Sequence, residues 1–490
     1  MSLERRLEKL TAILDVAKAM TVERDLDALL GLILREAKKT IDADRCTIFV
    51  LDPDKGILWS RIAQGLSTQE IRLPVGQGIG GWVAEHDEVL NIPDAYEDDR
   101  FNRAVDVATG YQTRSILCAP MRGAAGEVVG VIQALNRADG NPFDDEDEEL
   151  LLALGGQAGA AIQNALLNEE IERLFEGFVK ASVVAIESRD PTTSGHSERV
   201  ALLTCGLAEV VDRADDGPYQ KTLISVAEMR EIRYASLLHD FGKVGVREHV
   251  LVKANKLQPY ELECLESRFQ MARMGIERDH FRKLAALRET AEGPADDLPM
   301  KKDLHRQLAE LEDFWAFVLQ CNRPTVLEEG GFERLQEIAQ AQVPGPEGPL
   351  DLLTAKDVEL LSIPRGSLSA EERSEIESHV THTFRFLTKI PWTRELKGVP
   401  QIAYAHHEKL DGRGYPRGLD EKQIPLGSRM MTIADIYDAL TAQDRPYKKA
   451  MPHERAMDIL ASDAKRGLLD EELLRLFIEA DVAKRFLSSH

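Results

Sequence analysis

Cysteine is scarce and scattered in this 490-residue chain. Cys46, Cys118, Cys205, Cys264 and Cys321 include no CxxC pair, which argues against a zinc ribbon or a disulfide framework and fits reduced thiols in a cytoplasmic compartment. Positive charge is also short: 61 Lys and Arg against 84 Asp and Glu leave a formal charge of −23, which disfavours a nucleic-acid polymer or an anionic membrane as the main partner. A local cationic pocket for a small phosphorylated ligand is still compatible with that balance. Long apolar runs are missing as well. The start, MSLERRLEKL, has no signal-peptide core, and the nearest approach to a span, LLLALGGQAGAAIQNALL (150–167), is interrupted by Gln157, Gln163 and Asn164. That stretch reads as a packed helix and not as a membrane segment. The apolar content of 43% is ordinary, and the length suits roughly two to four domains.

Hydrophobic period divides the chain. Residues 1–40 form an amphipathic helical entry, with Leu26, Leu29, Leu30, Ile33 and Leu34 at helical spacing. Five β-rich runs follow, CTIFVLD, ILWSRIAQ, VLNIPD, RSILCAPM and VVGVIQALNR, several bounded by turn residues. They predict an α+β module with helices on one face of a sheet, ending near residue 145. From FDDEDEEL a helical period runs to about residue 190, its acidic start suited to a helix N-terminus. The Leu/Ala/Ile stripe of this connecting helix either pairs with a second copy in a parallel homodimer or packs on its own domain, with Gly155 and Gly156 interrupting the heptads. Beyond residue 172 no strand pattern appears, and the remainder reads as all-α. LQPYELECLESRF from Leu257 and LSAEERSEIESHV from Leu368 echo one another, with Arg268 standing where the second has His379.

Of twelve histidines, His86, His249, His280, His305, His453 and His490 stand alone and carry no expected ligand role. The others have richer company: His196 in GHSERV, His239 with Asp240 and Lys243 in LLHDFGKVG, His379 and His382 in ESHVTHTF, His406 and His407 in HHEKLDG, and Asp435 with Asp438 in TIADIYDALT. A His-Asp pair is costly to bury in an apolar helix unless a divalent cation compensates both groups. Imidazole and carboxylate donors suit Fe, Mn, Zn or Ni, and a carboxylate can bridge two ions about 3.5–4 Å apart. His406 and His407 diverge by about 100° if helical, so a shared ion must lie between their rings.

GHSERV, LLHDFGKVGV, the His of EIESHV, HHEKLDGRGYPRGL, IPLGSRMMTIADIYDALT and DRPYKKA together resemble the HD-GYP family of metal-dependent phosphohydrolases, over about residues 172–455. The resemblance implies hydrolysis of cyclic di-GMP to pGpG, with either pGpG or GMP as the end product. It implies that His239, Asp240 and Asp435 hold one divalent cation with His196 nearby, that His379, His406 and His407 hold another, and that Asp240 bridges the two. Fe or Mn is the favoured metal. Asp240 and Lys243 become the expected catalytic residues, Lys243 neutralising phosphoryl charge. Arg445 and Lys448 are expected to anchor the phosphates, and Asp438 to face the substrate or to support a ligand. Members that hold a third metal carry Glu four residues before the first His, where this chain has Thr192, so two metals are expected. The family places its next ligand His a few dozen residues after the HD pair, whereas His379 lies far beyond it; residues 269–367 behave as a helical insertion that either caps the site or builds a dimer surface. His382 is expected to stay outside the metal site.

VGQGIGGWVAEH superficially suggests a dinucleotide loop, but no βαβ unit surrounds it. The same words and the strand order resemble a GAF domain, over about residues 8–168. Asn136, Arg137, Phe143, Asp147 and Glu148 resemble the pattern of GAF domains that bind cyclic AMP or cyclic GMP, with Arg for Lys. Read without that resemblance, Arg137 and Asp147 form an ion pair that latches the last strand to the outgoing helix whether or not a ligand binds.

The expected chain is therefore multidomain: an N-terminal α+β GAF sensory domain (1–168), a connecting signalling helix (145–190), and a C-terminal all-α HD-GYP domain (172–490) with the insertion. The competing readings are a receptor that binds a cyclic dinucleotide or a protein partner without turnover, and a hydrolase of a related cyclic dinucleotide.

Overall fold

The structure, a computed structural model, describes residues 18–20, 23, 25–60, 71–189, 194–290, 297–324, 330–442 and 450–487. The chain divides into two compact units, Met1–Gly177 and Phe178–His490.

In the first unit, α1 (Leu26–Thr40) starts at Asp25, whose carboxylate accepts the Ala28 N–H at 2.8 Å. Leu26, Leu29, Leu30, Ile33, Leu34 and Ala37 bury one stripe of it. Strands β1 (Ala43–Asp52), β2 (Ile57–Ser60), β3 (Ile71–Pro74), β4 (Leu90–Ile92), β5 (Ile116–Arg122) and β6 (Val128–Arg137) form one antiparallel sheet in the order β3-β2-β1-β6-β5-β4. The five runs read from sequence thus become six strands, because the four-residue β3 is too short to show a period yet finds its ladder on β2. The central pair runs in register from Ala43 opposite Arg137 to Val50 opposite Gly130. A Cβ at Gly130 would lie 2.3 Å from the Phe49 carbonyl oxygen, so the close pairing needs glycine there.

Alternation along β1 feeds two cores. Cys46, Ile48 and Val50 join Ile132 and Ala134 beneath α1 and the outgoing helix, while Phe49, Leu58, Ile116, Cys118 and Val131 face the opposite way. Helices therefore cover both faces and not one, since the glycine-rich stretch that looked like a loop forms α2 (Gly78–His86) and brings Ile79 and Val83 onto the second face. After α3 (Arg103–Thr109), α4 (Asp145–Glu187) opens on Asp145, Glu146, Asp147 and Glu148. Its Leu150, Leu151, Leu154, Ala158, Ile162 and Ala165 belong to the first core. By length and composition α4 could cross a membrane, but those residues are spent on the sheet. Leu167, Ile171 and Leu174, farther along it, are exposed.

The second unit is helical: α5 (His196–Asp212), α6 (Val226–Leu238), α7 (Pro259–Thr290), α8 (Leu298–Asn322), α9 (Gly331–Gln340), α10 (Ala355–Leu361), α11 (Ala370–Leu387), α12 (Val399–Tyr404), α13 (Leu426–Thr441), α14 (His453–Lys465) and α15 (Glu471–Glu479). The all-α expectation needs one correction. A hairpin of β7 (Gln342–Pro344) and β8 (Pro349–Asp351) turns through Gly345 and Gly348, three residues a side being too few to show alternation. Residues from Leu257 to Leu361 gather a core of their own, including Leu265, Phe269, Phe314, Val318, Leu335 and Leu352. Arg268, the outlier of the sequence echo, belongs here: it donates to Asp357 at 2.6 Å and to the Leu352 carbonyl at 3.2 Å.

Candidate metal centre

Helix ends deliver most of the polar groups. α6 begins at a capping box in which Ser225 and Glu228 satisfy each other's backbone, and it stops at His239, with Asp240 opening a short 3-10 turn (Phe241–Gly245). His196 is the first residue of α5, reached through Gly195 at φ +66°. His379 lies inside α11, capped by Ser369 and Glu372, while His406 and His407 follow the end of α12 and Asp435 lies on α13.

Three of the imidazoles repeat one device. Nδ1 of His239 donates to the Ser236 carbonyl (2.7 Å), that of His379 to Ile376 (2.5 Å) and that of His406 to Ala403 (2.6 Å). With the proton placed at Nδ1, each Nε2 keeps a lone pair, and all three Nε2 atoms are buried without a hydrogen-bond partner. An orphaned buried polar atom costs roughly 1–3 kcal/mol, so three together mark a place built for something else. Two groups have mutually close donor atoms, all within 4.8 Å: His379 with His406 and His407, and His196 with His239 and Asp240. Asp240 joins them. Its Oδ1 lies 3.2 Å from His379 Nε2, outside hydrogen-bond geometry, and its Oδ2 lies 3.4 Å from His239 Nε2 and 3.6 Å from His196 Nε2. Asp435 Oδ1 is 3.3 Å from His196 Nε2.

Electrostatics match that donor set. Burial pushes His239 and His406 down and His407 down to about 3, so these rings stay neutral and able to donate a lone pair. Burial opposes charge on Asp240 too, but Lys243, His239 and His379 outweigh it and hold the carboxyl well below its usual range. His196 behaves differently. Burial lowers it, yet hydrogen bonds to Asp435 and Asp438 win and raise it to about 9. The neutral imidazoles of His239, His406 and His407 beside the Asp240 carboxylate fit divalent cations of the Fe, Mn or Zn type.

Lys243 Nζ sits 2.8 Å from Asp240 Oδ2. Asp438 does not present a free carboxylate to a substrate: Oδ2 takes His196 Nδ1 at 2.7 Å and Arg199 Nη2 at 3.1 Å, and Oδ1 takes Arg199 Nε at 2.6 Å. It fixes the His196 ring instead. Arg199 went unnoticed in the sequence, although its place one turn after His196 in GHSERV was a usable signal. His382 packs its ring where a Cβ on Gly245 would be, away from the clustered nitrogens. Thr192, Arg445 and Lys448 lie outside the described residues.

Supporting groups fix the walls. Thr383 Oγ1 donates to the His239 carbonyl and accepts the Gly242 N–H, both at 2.8 Å, and Thr432 Oγ1 donates to the His406 carbonyl at 2.7 Å. A Cβ on Gly242 would sit 1.9 Å from the His379 carbonyl oxygen, which explains the glycine of HDFG. Buried Glu408 accepts the N–H groups of Arg417 and Leu419 and shapes the loop that carries Tyr415 to a ring distance of 4.8 Å from His407.

In the first unit, Asn136 at φ +53° accepts the N–H groups of Arg114 and Ser115 and donates to Tyr111 and the Gln112 carbonyl. Arg137 reaches Asp144 at 2.9 Å and Asp147 at 3.1 Å, Phe143 is buried, and half-buried Glu148 is in the first turn of α4. Asn136 thus ties β6 to the loop before β5, and Arg137 ties β6 to the start of α4 through Asp144 and Asp147.

Comparison with known proteins adds the families. A GAF domain family model matches residues 25–162, and an HD domain model matches residues 356–473. The second match contains His379, His406, His407, Asp435 and Asp438, whereas His196, His239 and Asp240 precede it. The chain is 38% identical over 166 residues to the dual 3',5'-cyclic-AMP and -GMP phosphodiesterase 11A of Takifugu rubripes, covering 31% of this chain and 18% of that protein. It is 36% identical over 190 residues to the probable 3',5'-cyclic phosphodiesterase pde-5 of Caenorhabditis elegans, covering 36% and 26%. The chain thus spans about a quarter or less of the length of these relatives. Among solved structures, the GAF domain of a phosphoenolpyruvate-protein phosphotransferase from Coxiella burnetii aligns at 22% identity and TM-score 0.31, covering 34% of this chain and 98% of that one. The chain carries a GAF domain followed by an HD domain.

Proposed function

We propose that the second unit is a metal-dependent phosphodiesterase that opens cyclic di-GMP to pGpG and carries it onward to GMP, under control of the GAF domain. The observation that supports this most is Asp240, whose two oxygens face two separate sets of buried imidazole nitrogens. His379, His406 and His407 would hold one cation, and His196 and His239 with Asp435 the other, Fe or Mn being the metals that the family resemblance favours among those the donors suit. When bound, two such ions supply Lewis-acid stabilisation for in-line displacement at phosphorus. The chain does the rest. Asp240 keeps the two ligand sets at a fixed separation, Asp438 and Arg199 hold the His196 ring, and Lys243 places an ammonium where phosphoryl charge would grow. Arg445 and Lys448 are proposed to bind the substrate phosphates.

A second reading has its own support, because one relative is named a dual 3',5'-cyclic-AMP and -GMP phosphodiesterase and another a probable 3',5'-cyclic phosphodiesterase. We keep cyclic mononucleotides as effectors of the GAF domain, through the latch around Arg137, and a second copy as partner along the exposed Leu167, Ile171 and Leu174 of α4. The test is one experiment on the full chain, purified without oxygen, loaded with Fe or Mn and offered cyclic di-GMP, cyclic AMP and cyclic GMP in parallel. Chromatography should show pGpG and GMP, and Asp240→Ala should lose both bound metal and at least about 100-fold in turnover. Cleavage of the mononucleotides with cyclic di-GMP untouched would reverse the assignment of substrate and effector. Metal held in full with all three nucleotides intact would favour a receptor.

A further inference from the structure

The loop that follows His407 folds back on itself, and its own residues close it. Glu408 accepts the Arg417 and Leu419 N–H groups at 2.8 Å each, the Lys409 carbonyl accepts the Gly412 N–H at 2.9 Å, and Tyr415 returns its N–H to the His407 carbonyl at 3.3 Å. Gly414 lets the chain pass, because a Cβ there would lie 2.3 Å from the Lys409 nitrogen and 2.4 Å from the Glu408 Cα. The closed turn carries the Tyr415 ring onto the His407 ring, with 4.8 Å between centroids and 35° between planes. His407 is one of the three clustered imidazoles that include His379, the neighbour of Asp240 Oδ1.

A phenol taken out of water usually pairs its O–H, as Tyr111 does with Asp44 at 2.7 Å and Tyr219 with Asp470 at 2.6 Å. Tyr415 is half-buried too, yet its Oη has no hydrogen bond among the described residues. Packing on His407 accounts for the ring and not for the hydroxyl, since phenylalanine would pack as well. Burial, together with the carboxylates of Glu377, Asp435 and Asp240, pushes the phenol pKa up, so Oη keeps its proton at neutral pH and can donate. The acceptor has to come from a ligand. A phosphoryl oxygen suits that donor: it is anionic, it takes short charge-assisted bonds, and a phosphodiester drawn to the cations of this centre would bring it beside His407. Lys243, the ammonium of the centre, already lies 2.8 Å from Asp240 Oδ2, so a donor that no carboxylate holds complements it.

We propose that the Tyr415 hydroxyl donates a hydrogen bond to a phosphoryl oxygen of the bound phosphodiester, which makes Tyr415 a substrate-binding residue of the metal centre. This role rests on the phosphodiesterase reading but not on which nucleotide is cleaved. The experiment compares the full metal-loaded chain with Tyr415→Phe, which keeps the ring on His407 and removes only the donor. Metal content and the melting curve should stay as they are. Affinity for inorganic phosphate, measured by titration calorimetry, and kcat/KM for bis(4-nitrophenyl) phosphate should each fall about 10–100-fold, the usual worth of a hydrogen bond to a charged group. Unchanged phosphate affinity in a Tyr415→Phe chain that keeps its metal would overturn the bond, as would a loss that only follows lost metal. Cyclic di-GMP left intact by both chains, with the difference in phosphate affinity present, would strike the nucleotide assignment and uphold the role of Tyr415.

Discussion

Gly242 shows how tightly single residues constrain the centre. Any side chain there would drive a Cβ into the His379 carbonyl, 1.9 Å away, and push α11 from the HD turn. Gly242→Ala should therefore cost about 1–3 kcal/mol in thermal or denaturant unfolding, typical of overpacking, and should lower bound metal in proportion. Thr383 bridges the same two segments by hydrogen bonds, so Thr383→Val, which leaves the Gly242 N–H buried and unpaired, should lose about 1–3 kcal/mol by the same measurement. Asp438→Asn tests orientation and not packing. It keeps the shape beside His196 but weakens the hold on Nδ1, and metal affinity measured by competition with a chelator should fall about 10–100-fold.

At the scale of elements, local chemistry sets where helices stop and long-range pairs set how they meet. Ser225 with Glu228 and Ser369 with Glu372 start α6 and α11 so that His239 and His379 fall where their Nδ1 groups can reach a carbonyl three residues back. Arg247 then ties the HD turn to α11 through both oxygens of Glu375, and that hydrogen-bonded guanidinium holds the carboxyl down to about 2. The folded carboxyl is more acidic than its unfolded form near 4.3, so the pair stabilises fully above that pH and loses its effect as pH falls toward 2. Acid unfolding of Arg247→Ala should show a small deficit at neutral pH that closes between about pH 4 and pH 2; a deficit that persists at pH 2 would mean the arginine acts by packing. The same scale explains what sequence reading overlooked. β3 and the β7–β8 hairpin are three or four residues long, too short for a period, and α2 was hidden by its glycines, of which Gly81 is needed because a Cβ there would lie 2.5 Å from the Pro74 carbonyl oxygen.

For the whole molecule, the centre is a product of assembly: His196 and Asp438 are 242 positions apart yet hydrogen-bonded. Its unsatisfied Nε2 atoms make the second unit the one that gains from metal. Calorimetry of metal-free and loaded protein should show the transition of the second unit rise on loading, by about 2.7 kcal/mol at a hundredfold excess over the dissociation constant, with the GAF transition fixed. Equal shifts in both transitions would contradict a site confined to one unit.

By itself the sequence determined the two kinds of domain and the donor types, because periodicity and side-chain chemistry act within a few residues. The latch of Arg137 on Asp147 was legible for the same reason, ten positions apart at a strand-to-helix turn. Tertiary structure alone decided which way each carboxylate faces. Asp435 and Asp438 are one turn apart on α13, both beside His196, yet one meets Nε2 and the other Nδ1 with Arg199 behind it. No local pattern separates them. The difference comes from where α5 crosses α13, and that is fixed by the packing of residues hundreds of positions apart.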